Sequence, residues 1–428
     1  MISLYRPLYA FVLILAFLLG PLFSKKLRQY FLMRLKQGKF TPPPKDQFVI
    51  LIHAASGEAE YAFPLAERLK EQIPNSFIVC SYYSPSYVDK IKTHPHVDLA
   101  LPLPLDLPGP LRFFLSQLHP QLILISRTDV WPEFLHQAQR QKIPTLLFSR
   151  TEEATTNPFK IWIKRWIYKQ LHSISVVSKE DHQNVLKILE GTPLDQRPQV
   201  LTHGDTRWDQ AFNKVLPLKS QAFLPHPFFV AGSTWDEDIK PLLKAWRPAY
   251  GTLVIAPHEI HETNLQKLEQ QLEGLNLRSH RYSKFSATQN EFTASEGEVL
   301  LIDQMGILYK SYLGAYGAFI GGSFKKKVHS VMEALVCQTP VIVGPHYQNN
   351  REAMQYLKVP LDNSLHVVNT SKDAKHLQNH IESLHQRFIN LNKNPASYLK
   401  TTWTRPLCTQ VKNSPSQTLT QYILNTFK

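Results

Sequence analysis

The 428-residue chain, 43% of it hydrophobic, is long enough for two domains of ordinary size and too apolar to be a disordered protein. Its 48 Lys+Arg against 34 Asp+Glu leave a net charge of +14, which predicts attraction to anionic surfaces (nucleic acid, acidic lipid head groups, phosphorylated substrates) without choosing among them. Cys80, Cys337 and Cys408 are odd in number and lack metal or redox spacing, which argues against a disulfide framework and fits a reducing compartment.

Residues 7–23 (PLYAFVLILAFLLGPLF) carry no charge and precede Lys25, Lys26, Arg28, Arg34 and Lys36. The apolar-then-basic order and the lack of a small-residue cleavage site disfavour a cleaved signal peptide and predict a membrane-anchor helix. The run is at the short end of the roughly 20 apolar residues that cross a bilayer, so it either spans or lies embedded on one side. In both cases the basic flank puts the body of the protein on the cytoplasmic face.

After a Pro-rich joint at residues 41–44, apolar runs at 48–52, 77–80, 99–101, 122–125, 145–148, 174–177 and 200–201 predict strands of a parallel sheet covered on both faces. A helix follows the first, with Leu65, Leu69 and Ile73 spaced along one face. Ligands of such sheets bind at the carboxyl ends of strands, where the loops beginning at His53, Ser126 and Ser149 leave. Glu58, on a Gly turn at the mouth of that helix, is a candidate proton acceptor, or else a dipole partner worth roughly a few tenths to 1 kcal/mol. Arg127 and Asp129 in SRTDVWP (residues 126–132) are either site residues or a loop brace. Residues 160–168 (KIWIKRWIY) either rest on a membrane surface or pack as an interdomain helix.

Pro217, Pro225 and Pro227 mark a hinge, and a second series of strands is expected at 228–231, 253–256, 299–302, 318–320 and 340–343. The polar, non-periodic residues 275–298 predict an exposed hairpin or loop. Within residues 316–350, a strand, a Gly-Gly-Ser break and a helix expected over 330–335, opening at Ser330, place a helix N-terminus where a phosphate can sit. Lys325, Lys326, Lys327 and His329 are expected to add positive charge there, and Glu333, one turn beyond Ser330, to bind the two hydroxyls of a ribose. The plainer alternative is an ordinary βαβ crossover with a solvated lysine turn. The sequence holds no internal repeat, P-loop, Gly-x-Gly-x-x-Gly or zinc spacing.

In order along the chain stand HAASGEAEYAFP (53–64), TDVWPEFL (128–135), HGDTRWD (203–209), GSTWDED (232–238), APHE (256–259), DQMG (303–306), GGSFKKKVHSVMEA (321–334) and VIVGPHYQNNREA (341–353). With these motifs the chain resembles the bacterial 3-deoxy-D-manno-octulosonic acid (Kdo) transferases over essentially its whole length. The resemblance implies an α/β protein of GT-B glycosyltransferase architecture, two Rossmann-like domains facing a cleft. The parts are an anchor and basic flank at 1–40, an acceptor-binding domain at 41–218, a nucleotide-sugar domain at 219–405, and a C-terminal helix at 406–428 folding back on the first domain.

It further implies an inverting transfer of Kdo from CMP-Kdo to a lipid A precursor at the cytoplasmic face of the inner membrane, with no metal, no cofactor and no nucleic acid. Glu58 matches the family's general base. Arg207 takes the place of a lysine that stabilises the transition state, and Arg127 stands where a glutamate is usual. Pro257, His258, Met305, Gly306, Ile307, Ser330, Val331, Met332 and Glu333 match the CMP-binding segments, with Gly322, Ser323, Lys325 and His329 in the adjoining turn. Other departures are a turn one residue shorter at Ser56-Gly57-Glu58, His258 in place of an arginine, and Val328 and Ser330 interrupting the usual Gly-His-Asn. A GT-B enzyme using another nucleotide sugar, such as a UDP-sugar, and a membrane-tethered homologue that binds without catalysis remain open.

Overall fold

The structure, a computed structural model, describes residues 1–23, 40–83, 87–286, 297–362, 364–391, 394–404 and 414–428. The basic flank at residues 25–36, Cys408 and most of the C-terminal stretch before residue 414 lie outside the described residues. The chain divides into two compact units, Met1–Gln210 with Asn413–Lys428, and Ala211–Lys412.

The first unit is built on a seven-stranded sheet in the order β3-β2-β1-β4-β5-β6-β7, with every neighbouring pair parallel. Its strands are β1 (Phe48–His53), β2 (Ser76–Tyr82), β3 (Leu99–Pro102), β4 (Leu122–Ser126), β5 (Thr145–Arg150), β6 (Ser173–Val176) and β7 (Gln199–Thr202). Alternation along β1 sends Val49 and Leu51 into one apolar cluster and Ile50 and Ile52 into the other, so the sheet is buried on both faces. Helix α1 (Ile2–Phe23) precedes the sheet, α2 (Ala59–Gln72) follows β1, α3 (Pro132–Arg140) follows β4 and α4 (Pro158–Tyr168) follows β5. Leu65 and Leu69 of α2 share their cluster with Leu419 and Ile423 of the C-terminal helix Pro415–Phe427. Because β2 and β4 flank β1 on opposite sides, the chain reverses its winding there, which is where sheets of this kind bind their ligands.

The second unit repeats the plan, order β10-β11-β9-β8-β12-β13-β14, again all parallel. Its strands are β8 (Phe228–Thr234), β9 (Thr252–Pro257), β10 (Ser279–Arg281), β11 (Val299–Leu301), β12 (Gly317–Ile320), β13 (Val341–Val343) and β14 (Val368–Thr370). Helix α5 (Asp236–Ala245) follows β8 and α6 (Met332–Val336) follows β12. Here the reversal falls between β8 and β12. The expectation of a hairpin or loop over 275–298 is corrected in part: Ser279–Arg281 forms a parallel edge strand whose Arg281 bonds Glu262 and Glu269, a polar edge that periodicity does not reveal. Residues 287–296 lie outside the described residues.

The membrane-anchor expectation is also modified. Residues 2–23 do form one helix, but among the described residues no helix is long and apolar enough to cross a membrane. The first turns of α1 are instead tied to the first unit. Arg6 forks onto the buried carboxylate of Glu133 at 2.8 and 3.0 Å, and the Tyr5 hydroxyl donates to Asp106 at 2.6 Å. Asp106 in turn accepts from the backbone N–H groups of Glu133 and Phe134 at the start of α3. Burial pushes the Asp106 carboxyl up to about 6 against these bonds.

Candidate active site

In the first unit the loops leaving β1 and β4 meet. A 3-10 turn, Ser56–Glu58, carries Glu58 to the start of α2, and its carbonyl accepts from Ser126 Oγ at 3.3 Å. Thr128 Oγ1 donates to Glu58 Oε1 at 2.7 Å, while Oε2 is buried and has no partner among the described residues. Burial raises the Glu58 carboxyl above the ordinary range; the Thr128 bond pulls the other way, the Asp129 charge adds to the rise, and Arg127 and His53 oppose it. Glu58 is thus half-buried at the carboxyl edge of the first sheet and at the start of α2, the position from which both sequence readings begin.

His53, at the end of β1, is fully buried and joins the two loops: one ring nitrogen meets Asp129 Oδ2 at 2.7 Å, the other Ser81 Oγ at 2.9 Å. Arg127 sits at φ 53°, a left-handed conformation unfavourable to a side-chain-bearing residue, and is held there by its N–H to Phe148 O at 2.9 Å and by Arg150 Nη1 on its carbonyl at 3.3 Å. Its guanidinium reaches back to the Tyr61 hydroxyl at 2.8 Å. Arg207 comes to the same ring from the end of the sheet, where Thr206 donates to Tyr61 O at 2.7 Å and bonds Ser149 Oγ. The structure therefore brings Glu58, Arg127 and Arg207 together. Tyr61, Thr128, Asp129 and His53 complete the group; all four stood in recognised motifs, at 53–64 and 128–135, but none except Asp129 was singled out as a candidate site residue.

In the second unit the loops after β8, β9 and β12 meet around Trp235. Its indole Nε1–H donates to His329 Nε2 at 2.8 Å; His258 stacks on both rings, 4.5 Å from Trp235 and 4.4 Å from His329; and Lys325 Nζ lies 3.7 Å from the Trp235 ring centroid. An indole nitrogen can only donate, so His329 Nε2 is an unprotonated acceptor and the neutral ring carries its hydrogen on Nδ1. Burial, and then the His258 and Lys327 charges, hold the His329 pKa below the usual value. The expectation that His329 adds positive charge is corrected on that ground. Trp235, absent from the sequence-derived set, organises the cluster; the signal was an aromatic residue at the carboxyl end of β8.

The turn itself is pinned from below. Asp238 in α5 accepts from Gly322 N at 2.7 Å, Phe324 N at 3.0 Å and Trp235 N at 2.9 Å. Ser323 is buried, its hydroxyl donating to Ile320 O and accepting from Gly344 N. Gly322 has φ 80°, and a Cβ there would lie 2.4 Å from Lys327 O. The helix expected from Ser330 begins later and is short: α6 covers Met332–Val336, because Asn349 bonds both backbone groups of Val328 and Asn350 Nδ2 donates to His329 O, holding that segment out of helix. Glu333 is thus the second residue of α6, half-buried near Tyr312 and Cys337, and not one turn beyond a helical Ser330. Val331 and Met332 are core side chains, Ser330 is exposed, and Met305, with Gly306 and Ile307 beside it, is 80% exposed on the loop before the short helix Leu308–Ser311.

A family model described as 3-deoxy-D-manno-octulosonic-acid transferase (kdotransferase) matches residues 29–210. A 3-deoxy-D-manno-octulosonic acid transferase from Haemophilus influenzae is 27% identical over 356 residues, covering 80% of this chain and 80% of the relative. Among solved structures, UDP-GlcNAc 2-epimerase from Neisseria meningitidis aligns with a TM-score of 0.55 at 15% identity, over 88% of this chain and 98% of that one. A glycosyltransferase from Rickettsia africae aligns at 0.53 and 10% identity, over 90% and 98%. These two likenesses carry the fold alone, the GT-B arrangement of two parallel-sheet α/β domains. The sequence matches are to the Kdo transferases, a family of glycosyltransferases, which the chain resembles over 80% of its length.

Proposed function

We propose that the protein transfers Kdo from CMP-Kdo to a sugar hydroxyl of a lipid A precursor, with inversion and without a metal, and that Glu58 is the general base. The observation that carries this is the Glu58 carboxylate at the carboxyl edge of the sheet: raised by burial, oriented through Oε1 by Thr128, with a buried Oε2 that no described residue bonds. A carboxyl with a raised pKa accepts a proton more readily than an ordinary one. The Glu58 carboxylate takes the hydrogen of the acceptor hydroxyl as the hydroxyl oxygen bonds the donor's anomeric carbon. The bond from this carbon to the phosphate breaks, and CMP leaves with both electrons.

As CMP leaves, its phosphate gains about one negative charge. Lys325 supplies positive charge beside Trp235, and His329 supplies a neutral Nδ1–H. The membrane enters through exposed apolar side chains: Leu4, Leu8 and Phe11 of α1, and Phe159 and Trp162 of α4, a helix in which Tyr168 is the buried residue. Tyr5 and Trp166 link the two helices at 6.4 Å between ring centroids. With the net charge of +14 these suit residence on the anionic cytoplasmic face of the inner membrane.

The test is Glu58→Gln assayed with CMP-Kdo and lipid A precursor in the presence of EDTA. Transfer should fall by at least about a hundredfold while CMP-Kdo binding persists. Turnover at the unsubstituted rate would remove Glu58 from the mechanism, and loss of the unsubstituted enzyme's turnover in EDTA would overturn the metal-free reading.

A further inference from the structure

Two guanidinium groups converge on one phenol ring beside Glu58: Arg127 Cζ lies 4.9 Å and Arg207 Cζ 5.4 Å from the centroid of Tyr61. Tyr61 is only 4% exposed, and its position is fixed through its backbone carbonyl by Thr206. The guanidinium of Arg127 spends one N–H on the Tyr61 hydroxyl, and among the described residues its buried Nε has no partner and it forms no ion pair. A buried guanidinium N–H without an acceptor is costly, and a second cation on the same ring adds like-charge repulsion. The π face offsets part of it and also keeps both groups from swinging away. The backbone of Arg127 is held in a left-handed conformation to achieve this placement.

We propose that Arg127 and Arg207, seated on Tyr61, form a subsite for an oxyanion of the substrate, a carboxylate or a phosphate, next to the Glu58 base. This rests on the transfer reading above and names what that site holds besides the reacting hydroxyl. Guanidinium groups offer paired N–H donors matched to such oxyanions. The placement has a mechanistic consequence. Arg127 lowers the proton affinity of Glu58, and an anion bound to Arg127 offsets that pull. Glu58 then becomes the stronger base when the substrate is in place, and a weaker one when the site is empty. The anion has two chemical sources, a phosphate on the acceptor or the carboxylate of the donor sugar.

The experiment titrates the full-length protein with inorganic phosphate while following arginine Nε–H signals by NMR, then compares Arg127→Gln and Arg127→Lys in turnover. Saturable movement of the Arg127 Nε–H signal, which Arg127→Gln abolishes, is expected. Arg127→Gln should raise KM for the anion-bearing substrate about tenfold, with kcat changed less than about threefold and partial recovery in Arg127→Lys. If the KM penalty disappears with a dephosphorylated acceptor, the acceptor phosphate is the occupant; if it disappears with a donor whose carboxylate is esterified, the donor carboxylate is. Either result supports the subsite. An Arg127 signal indifferent to phosphate, together with KM values within about twofold for every substrate form, overturns it. If the unsubstituted protein fails to turn over CMP-Kdo, the transfer reading falls, and the phosphate titration still decides the subsite by itself.

Discussion

Trp235→Phe isolates one hydrogen atom. The substitution keeps an aromatic ring under Lys325 and His258 but removes the Nε1–H that donates to His329 Nε2 at 2.8 Å. A hydrogen bond of this kind is worth about 1 kcal/mol net, so its loss shifts the ratio of the Nδ1–H to the Nε2–H form of His329 by roughly fivefold towards Nε2–H. The same bond opposes protonation, because a proton on Nε2 would face the indole hydrogen, so His329 should also protonate more easily in the variant. The sign on stability follows from the lowered pKa. A histidine kept neutral in the native state contributes fully above its unfolded pKa of about 6.5 and loses that contribution as pH falls through 6.5 towards its lower native value. The variant should narrow this acid-side loss. Long-range 1H–15N spectra of the histidine rings, recorded against pH, read both the tautomer and the titration. A wild-type His329 already protonated on Nε2 near neutral pH, or a titration that Trp235→Phe leaves unmoved, would refute the reasoning.

Two other outcomes are expected. Gly322→Ala should cost about 2 kcal/mol or more in urea unfolding, since a Cβ at φ 80° would fall 2.4 Å from the Lys327 carbonyl; a change under about 0.5 kcal/mol would mean that the turn relaxes freely. Thr128→Val removes the bond that lowers the Glu58 pKa, so the acidic limb of kcat/KM should move to higher pH, with activity rising later as pH increases; an unmoved limb would assign that limb to another group.

The sheets were legible in the sequence because each strand is buried on two faces, so runs such as residues 48–52 and 122–125 stand out without any partner being known. Glu58 was legible for a related reason: a Gly turn at the end of such a run can lie only at the carboxyl edge, where sites form. What escaped was set by distant side chains. The start of α6 is decided by Asn349 and Asn350, about twenty positions beyond the segment that they hold extended. The tautomer of His329 is set by an indole 94 positions earlier in the chain. Tyr61 reads as one more apolar residue of an amphipathic helix, and its role as a platform exists only once β4 and the start of Arg207–Val215 reach it.

The Gly-rich turn after β12 shows how far such tertiary bonds redirect a local inference. Read alone, it is a cradle of backbone amides ahead of a helix, a usual anion site. In the fold, Gly322 and Phe324 spend their N–H groups on Asp238, those of residues 325–329 close the turn or pair with His346, and α6 is only five residues long. Little backbone donor capacity or dipole remains for a phosphate. On the transfer proposed above, recognition of the leaving phosphate falls to side chains around Trp235, where Lys325 lies on the indole and 3.7 Å from Glu237 and where burial keeps the His329 pKa low. Asp238 is therefore a positioning residue: by consuming the amides it fixes the turn that carries Lys325 and His329, and on the proposed transfer it leaves the charge of the phosphate to side chains and not to the main chain.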